Sequence, residues 1–215
     1  MRIRIIFTFI AYALPCATLQ AQYLGLNLRG DVGLKAGSQP GPGFYFVLPL
    51  YYRNDYGGLR GPQGEELLKN LNLDINMFTV PAISVTTPLK IADATYGFQL
   101  VPAILNQRLD VAAINRQRST GYGFTDFFVQ PINLGWRTAR ADYLTAYGFF
   151  APTGGDHGLD MWVHEFTAGT TLYMDSERKW HATTAASVDL NQRKRSRDIK
   201  VGNILTLEGG PADHS

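Results

Sequence analysis

The sequence of 215 residues is poor in charge, in cysteine and in long apolar runs. Charged residues make up 18% of the chain, below the roughly 25% of ordinary soluble domains, which argues against a solvated helical protein or a disordered tail. The 20 Lys and Arg residues barely exceed the 18 Asp and Glu residues, so the charge balance gives no indication of a nucleic-acid partner. The length is that of one domain with room for a short additional segment.

The beginning of the chain has the three parts of a secretory signal peptide. Arg2 and Arg4 precede an apolar run over residues 5–14, and small residues follow up to Ala21. This order is typical of export signals, and the run is shorter than the ~20 residues of a membrane-spanning helix. We therefore predict a signal peptide over residues 1–21, cleaved after Ala21. The alternative is a buried N-terminal strand.

Cleavage would leave a mature chain with no cysteine and no net charge. The single cysteine, Cys16, is removed with the signal, and Pro15 before it fits a lipoprotein cleavage site poorly. Loss of two arginines brings the basic residues from 20 to 18, equal to the acidic residues. An exported chain without disulfides needs either a large core or hydrogen bonds closed within a membrane. Together with the abundant glycine and aromatic residues, this indicates a Gram-negative envelope.

Alternation with a period of two dominates the rest of the chain. One short segment, residues 65–71, has helical spacing, with Leu67, Leu68 and Leu71 on one face. Elsewhere apolar and polar residues alternate between clusters of Gly, Pro, Asn and Asp. Eight strands are predicted, at about 43–52, 72–87, 95–106, 124–136, 141–151, 160–174, 180–191 and 199–208. Most approach the ~9–11 residues that cross a bilayer obliquely, rather than the 5–6 residues usual in soluble sheets.

The connections between these strands alternate in length. Short links at 88–94, 137–140 and 175–179 alternate with mostly longer ones at 53–71, 107–123, 152–159 and 192–198. Short turns on one side and longer loops on the other are typical of outer-membrane barrels. The predicted fold class is therefore an all-β, antiparallel outer-membrane β-barrel over residues 22–215.

Aromatic residues at strand ends favour a membrane over a soluble barrel. Trp136 and Tyr143 flank one short turn, and Tyr173 and Trp180 flank another. Rings at these positions are expected of an interfacial girdle, whereas a soluble sandwich would place them in its core. Four prolines fall inside predicted strands, where each removes a ladder donor, so we expect bulges, breaks or shorter strands at Pro49, Pro81, Pro102 and Pro131.

The same alternation assigns residues to the two faces of the predicted strands. On residues 180–191 the lipid-facing residues are Ala182, Ala186, Val188 and Leu190. Interior-facing candidates for ligand binding are polar residues on three predicted strands: Asp74, Asn76, Glu165, Thr167, His181, Thr183, Asp189 and Asn191.

No combination of residues predicts an enzyme, a metal site or a cofactor. The four histidines are scattered without metal-ligand spacing, the mature chain has no cysteine, and no Gly-x-Ser-x-Gly motif occurs. His181, Ser187 and Asp189 share a face, but His181 and Ser187 would lie ~20 Å apart along one strand. They therefore cannot form a triad.

Two loops and one leading segment carry distinctive residues without a defined chemistry. Asp156 and His157 are predicted at a solvated loop tip, in a Gly-rich stretch. The basic tract at 193–197 fits a solvated loop as well as contact with lipopolysaccharide. Residues 37–43 form a stiff leading segment rather than a phosphate loop, because no Gly-Lys-Ser/Thr follows them.

Four runs of the sequence resemble the meta-pathway of phenol degradation family. They are GLKAGSQPGPGFY at 33–45, QPINLGW at 130–136, YGFFAPTG at 147–154 and IKVGNILTLEGG at 199–210. Members of that family are regarded as outer-membrane barrels and often accompany genes for aromatic breakdown. The resemblance spans essentially the whole mature chain, and it carries no binding residues with it.

The resemblance implies a channel or transporter for uptake of small hydrophobic compounds, including aromatic ones, in the outer membrane of a Gram-negative bacterium. The expected partners are outer-membrane lipid, a small hydrophobic solute and the barrel-assembly machinery, with no nucleic acid. Family members usually continue through further strands, whereas residues 211–215 are hydrophilic and turn-like, so we expect a barrel truncated after about residue 210. Two other functions stay open: an outer-membrane hydrolase and a soluble periplasmic ligand-binding β-barrel.

Overall fold

The computed structural model describes residues 37–47, 51–60, 65–79, 82–111 and 116–213. Within these ranges the chain is all-β, with one 3₁₀ turn over Gly155–His157. No helix in the described part is long and apolar enough to cross a membrane. The predicted signal peptide, with Cys16, and residue His214 lie outside the described residues.

In the described ranges, twelve strands form two antiparallel sheets. The larger sheet has the order β1-β4-β5-β8-β9-β10-β11-β12, and the smaller sheet has the order β2-β3-β6-β7. The strands are β1 (Gly43–Val47), β2 (Tyr51–Arg60), β3 (Glu66–Thr79), β4 (Ala82–Ile91), β5 (Ala94–Val101), β6 (Ala103–Val111), β7 (Arg116–Phe124), β8 (Phe127–Arg137), β9 (Ala141–Ala151), β10 (Val163–Tyr173), β11 (Trp180–Asn191) and β12 (Ile204–Asp213).

In the first half of the chain, each strand of the larger sheet is adjacent in sequence to one strand of the smaller sheet. We call such a pair of successive strands, or a single strand in the second half, one passage of the chain. In sequence β1 is followed at once by β2, β3 by β4, β5 by β6 and β7 by β8, so the strand order of the smaller sheet repeats that of the first half of the larger one. The N–H of Thr125 donates to the carbonyl of Ala103 at 3.0 Å and joins the third and fourth passages between the sheets. Counted in this way, the described chain makes eight passages in an antiparallel meander. Each overlaps one of the eight predicted strands.

Prolines mark the interruptions of the early passages. Pro102 stands alone between β5 and β6, and in sequence Pro49 and Pro81 fall between β1 and β2 and between β3 and β4, outside the described residues. Pro131 lies inside β8, at a register shift in its pairing with β9. Proline cannot donate to a ladder, so the expected break at Pro102 and the expected bulge at Pro131 are confirmed.

The one short segment with helical spacing, residues 65–71, belongs to a strand from Glu66 onward, in agreement with the all-β prediction. Glu66 to Leu71 are the first residues of β3, where Leu68 pairs with Leu59 of β2 and Leu71 with Val111 of β6. The leucine spacing that suggested a helix is outweighed by strand pairing on both sides, because a paired backbone fixes the conformation whatever the local pattern.

Two other predicted boundaries differ from the structure. The last strand, predicted at 199–208, runs from Ile204 to Asp213, and residues 211–213 continue the strand instead of forming a turn. Pro211 lies on β12, which pairs only with β11 among the described residues, and proline is found mainly on strands with one unpaired side. Residues 53–71 and 107–123, predicted as long loops, supply much of the smaller sheet.

The larger sheet has two unlike ends. One end, here called the short-turn end, carries the connections at 92–93, 138–140 and 174–179. The other, the loop end, carries the connections at 152–162 and 192–203. The pairings of the described residues form an open sheet, in which β1 and β12 are the edges and no described pairing joins them.

The polarity of β9 to β12 is the reverse of that in a soluble sheet. On β11, His181 and Asp189 are each 1% exposed, whereas Trp180 is 55% exposed. Leu205 and Leu207 of β12 are also exposed, Leu207 to 66%. We call the side with the buried polar residues the inner face and the side with the exposed apolar residues the outer face. Alternating side chains explain how one strand supplies both.

Candidate functional site

A short segment before β1, residues 37–42, lies on the inner face near the short-turn end. We call it the strap. It begins at Gly37, whose N–H donates to the Thr171 hydroxyl at 3.2 Å. A Cβ atom at Gly37 would lie 2.2 Å from the backbone of Thr170, so only glycine allows this close approach.

Gln39 fixes the middle of the strap to β8. Its Nε2 donates to the backbone and side-chain oxygens of Asn133, at 3.1 and 3.2 Å. Arg137 Nη2 in turn donates to the Gln39 carbonyl at 2.6 Å. Gly97 and Gly135 leave room for this side chain, since a Cβ atom at either would come within 2.8 Å of Gln39. The Gln39 side chain is therefore buried against two glycines of the sheet.

Asp142 holds the strap through two hydroxyl groups. Its carboxylate is buried, with 2% of the residue exposed, and Oδ2 accepts hydrogen bonds from Ser38 Oγ and Tyr173 OH, both at 2.8 Å. Arg178 Nη1 lies 3.6 Å from Oδ1, and the guanidinium carbon lies 4.5 Å from the centre of the Tyr173 ring. A buried carboxylate is stable only with such donors and a nearby cation. The four side chains therefore form one interdependent cluster.

A cavity of about 410 Å³ opens between the strap and the short-turn end of the sheet. Gln39, which is fixed to β8, and the Asp142 cluster both border this cavity. Its lining residues are Ser38, Gln39, Pro40, Arg137, Asp142, Tyr173 and Arg178.

The interior residues predicted from the sequence lie elsewhere on the inner face. Thr167 is half-buried there and donates to Glu165 Oε1 at 3.4 Å, and Glu165 stands opposite Asp189 in the pairing of β10 with β11. None of the eight candidates lines the 410 Å³ cavity. The buried members are Glu165, His181, Thr183, Asp189 and Asn191.

The remaining two candidates, Asp74 and Asn76, are in β3. Their backbones pair with Arg108 and Asn106 of β6, and their side chains lie outside the description. A ligand-binding role for any of the eight candidates stays a prediction.

The residues that line the cavity were not predicted from the sequence, because they are far apart in the chain. The sequence feature that could have indicated this site is the polar pair Ser38-Gln39, which stands between a glycine and a proline in the leading segment.

A comparison with known families matches residues 58–210 to the family described as the MetA-pathway of phenol degradation. The match covers well over half of the chain. The chain belongs to this family. The predicted resemblance is confirmed, and membership links the protein to the phenol degradation pathway. No curated protein and no solved structure matches the chain.

The outer face of this phenol-degradation family member carries an aromatic belt near the loop end. Tyr147 lies 5.1 Å from Phe166 between ring centres, and Phe149 lies 5.7 Å from Trp162. His164 belongs to the same belt, where its Nδ1 lies 2.8 Å from Tyr147 OH. The rings therefore form a continuous amphipathic surface rather than a buried core.

At the short-turn end, three of the four predicted girdle residues are on the outer face. Trp136 Nε1 donates to the Ala92 carbonyl at 2.9 Å, Tyr143 pairs with Trp136, and Trp180 is exposed. The prediction is wrong for Tyr173, which is buried beside Asp142. Tyr173 pairs with the residue after Trp180, and this offset of one residue turns its ring to the inner face.

The loop that joins β9 to β10 is anchored by a buried carboxylate. Asp126, just before β8, accepts the N–H of Gly154 at 2.8 Å and that of Leu159 at 2.7 Å. A Cβ atom at Gly158 would lie 2.3 Å from Asp126 Oδ1. The charged side chain therefore organises a loop and is already occupied with backbone donors.

His157 is not at a solvated loop tip, although its neighbour Asp156 is exposed. The imidazole is half-buried against β7, where a Cβ atom at Gly123 would lie 2.4 Å from it. Its Nε2 donates to the Thr120 carbonyl at 3.2 Å, since a carbonyl can only accept. The prediction failed because the extension of β7 beyond the larger sheet supplies a surface for this loop.

Asp160 links the two long connections of the loop end, 152–162 and 192–203, by hydrogen bonds. Ser196 donates to it through both its hydroxyl and its N–H, the latter at 2.9 Å, and the Arg195 N–H donates to the Asp160 carbonyl at 2.7 Å. The Ser196 hydroxyl, then its N–H, and the charges of Lys194 and Arg195 hold the pKa of Asp160 below its usual 3.8. The basic tract is thus a fixed part of the loop end.

No group of three or more His, Cys, Asp or Glu side chains in the described ranges could hold a metal ion.

Proposed function

We propose that the protein is an outer-membrane β-barrel for uptake of small hydrophobic compounds, including aromatic ones, in a Gram-negative bacterium. The observation that carries this proposal is the reversed polarity of β9 to β12. Leu207 is 66% exposed on the outer face, whereas Asp189 is 1% exposed on the inner face. Strands of outer-membrane barrels alternate in this sense, with apolar residues toward lipid and polar residues toward the lumen.

The reversed polarity is costly in water and favourable in a bilayer. Exposed large apolar side chains recur along the outer face on neighbouring strands, and contiguous exposed patches of this kind mark contact with another apolar phase. The members on β10 to β12 are Phe166, Leu172, Leu190, Leu205 and Leu207. A soluble periplasmic barrel would instead bury these residues and expose the polar face.

The distribution of connections and aromatic residues agrees with this orientation. Connections at the short-turn end are two to six residues long, from 92–93 to 174–179, whereas those at the loop end are longer. Trp136, Tyr143 and Trp180 lie near one end of the outer face, and the belt around Tyr147 lies near the other. Aromatic girdles at two levels flanking an apolar band are the expected arrangement at two membrane interfaces.

Closure of the barrel is part of the proposal. Pairing of β1 with β12 would remove both edges of the larger sheet, which lipid requires because unpaired backbone groups are costly there. Eight strands leave an interior just wide enough for side chains, and the strap occupies part of it. We therefore expect low ion conductance and uptake through a narrow path.

The decisive experiment compares Ala186→Arg with Ala186→Leu. Ala186 lies mid-strand on the outer face, between Ala168 of β10 and Leu207 of β12. In a bilayer the arginine should cost ~2–4 kcal/mol, so we expect it to reduce the heat-modifiable folded form in vesicles, while the leucine control folds as the wild type does. Equal folding of both variants, or a wild-type protein recovered without detergent, would contradict the membrane proposal.

Uptake is tested separately from folding. Refolded protein in vesicles should increase entry of phenol relative to empty vesicles, with little increase in entry of a charged sugar. N-terminal sequencing of protein from an envelope fraction should begin near Gln22, and an intact Met1 in the cytosol would contradict the localisation.

A further inference from the structure

The cavity beside the strap has a charge pattern that suits an anionic ligand. It has a volume of about 410 Å³, within the ~300–1,000 Å³ typical of sites for small molecules. Of the described residues that line it, two are arginines, Arg137 and Arg178, and one is acidic, Asp142. The described residues that line the cavity therefore carry one more positive than negative charge.

The hydrogen bonds already present leave that excess available. Asp142 Oδ2 accepts hydrogen bonds from Ser38 and Tyr173, and Asp142 Oδ1 lies 3.6 Å from Arg178 Nη1, so the carboxylate is paired with Arg178. Arg137 donates from Nη2 to the neutral carbonyl of Gln39. Because a guanidinium has five N–H donors, Arg137 keeps most of its donors for another acceptor.

The rest of the lining suits an apolar body of limited size. Pro40 of the strap and the ring of Tyr173 supply carbon surface beside the two arginines. The Arg178 guanidinium already lies over the Tyr173 ring, 4.5 Å from its centre, so a cation and an aromatic face already meet in this corner. A fork of N–H donors matches the two oxygens of a carboxylate.

We propose that this cavity binds a small carboxylic acid with a single-ring body, in which Arg137 and Arg178 hold the carboxylate and Pro40 and Tyr173 contact the ring. This inference rests on the proposed uptake function and specifies its solutes as organic acids of about the size of benzoate. The strap forms one wall of the site, so the ligand enters at the short-turn end.

The test measures binding of benzoate to the refolded full chain in detergent micelles by titration calorimetry. Benzyl alcohol, which has the same ring and no charge, is the matched neutral probe. We expect benzoate to bind saturably and at least tenfold more tightly than benzyl alcohol, because a hydrogen bond to a charged group contributes more than a neutral one. Arg137→Gln should weaken benzoate binding by about tenfold and leave benzyl alcohol unchanged.

Arg140→Gln is the control, because Arg140 is exposed on the same turn and does not line the cavity. It should bind benzoate as the wild type does. Arg137→Lys, which keeps the charge and loses the fork, should show an intermediate affinity and replaces the glutamine variant if that variant does not refold. Equal binding of the two probes, or an equal loss in the Arg137 and Arg140 variants, would overturn the site.

The outcome is separable from that of the uptake experiment. Phenol uptake by vesicles with no preference for benzoate in calorimetry would overturn the carboxylate site and leave the transport proposal standing. Specific benzoate binding by a protein that gives no solute entry would support the site and contradict transport.

Discussion

The hydroxyl groups of Ser38 and Tyr173 should stabilise the folded protein jointly, because both donate to one oxygen of Asp142. Each bond is 2.8 Å long and ends on a carboxylate that is nearly inaccessible to solvent. A hydrogen bond to a charged group contributes ~1.5–3 kcal/mol. We therefore expect Tyr173→Phe, which keeps the ring beside Arg178, to lower the free energy of unfolding by that amount.

The double variant distinguishes a shared acceptor from two independent bonds. After loss of one hydroxyl, the other still satisfies Asp142 Oδ2, whereas loss of both leaves a buried charge without either donor. The combined loss for Ser38→Ala with Tyr173→Phe should therefore exceed the sum of the single losses by ~1 kcal/mol or more. Urea unfolding in micelles, followed by tryptophan fluorescence, measures all three values.

Tyr143→Phe is the matched control, because Tyr143 is an exposed tyrosine on the outer face. Its effect should stay within ~0.5 kcal/mol, as for most surface substitutions. If Tyr173→Phe is no more destabilising than this control, or if the two cavity substitutions are simply additive, the Asp142 cluster does not hold the strap in the manner described.

The remaining predictions concern the strap, the loop end and the outer face. Gly135→Val should displace Gln39, since its Cβ would lie 2.6 Å from Gln39 Cβ, and should increase the maleimide labelling rate of a Ser38→Cys variant. Because the pKa of Asp160 is lowered, the ionised carboxylate stabilises its contact with Ser196 at pH values above the usual aspartate pKa. This stabilisation is lost as the pH falls through the lowered pKa. Amide exchange at residues 194–197, corrected for its intrinsic pH dependence, should therefore rise in acid, but not in Asp160→Asn. Ala186→Arg should fold in micelles more readily than in vesicles, and the two yields compared on one gel measure this difference.

The sequence predicts strands well where their side chains alternate without interruption. Residues 180–191 form β11 with the predicted bounds, because apolar and polar residues there face different surroundings on the two sides of the sheet. Leu67, Leu68 and Leu71 have helical spacing but lie in β3, since a few residues at that spacing do not outweigh pairing with β2 and β6. Local patterns decide only where long-range pairing agrees with them.

The cavity could not be predicted, because its residues come from separated parts of the chain. Ser38 and Asp142 are 104 positions apart, and no local period connects them. The burial of Tyr173 depended on a single-residue offset against Trp180, which follows from the length of the turn between β10 and β11. Pairing register of this kind is set by the turn and the partner strand together.

The contacts of the strap also bear on the order in which the protein assembles. Gly37 is bound by Thr171, which is 134 residues further along the chain. A growing or incompletely folded chain cannot form this contact until β10 is in place, and such long-range contacts form late. The strap would thus be withdrawn from proteases and chaperones only after most of the meander exists. In the cell, concealment of residues 37–39 would distinguish a mature protein from an assembly intermediate.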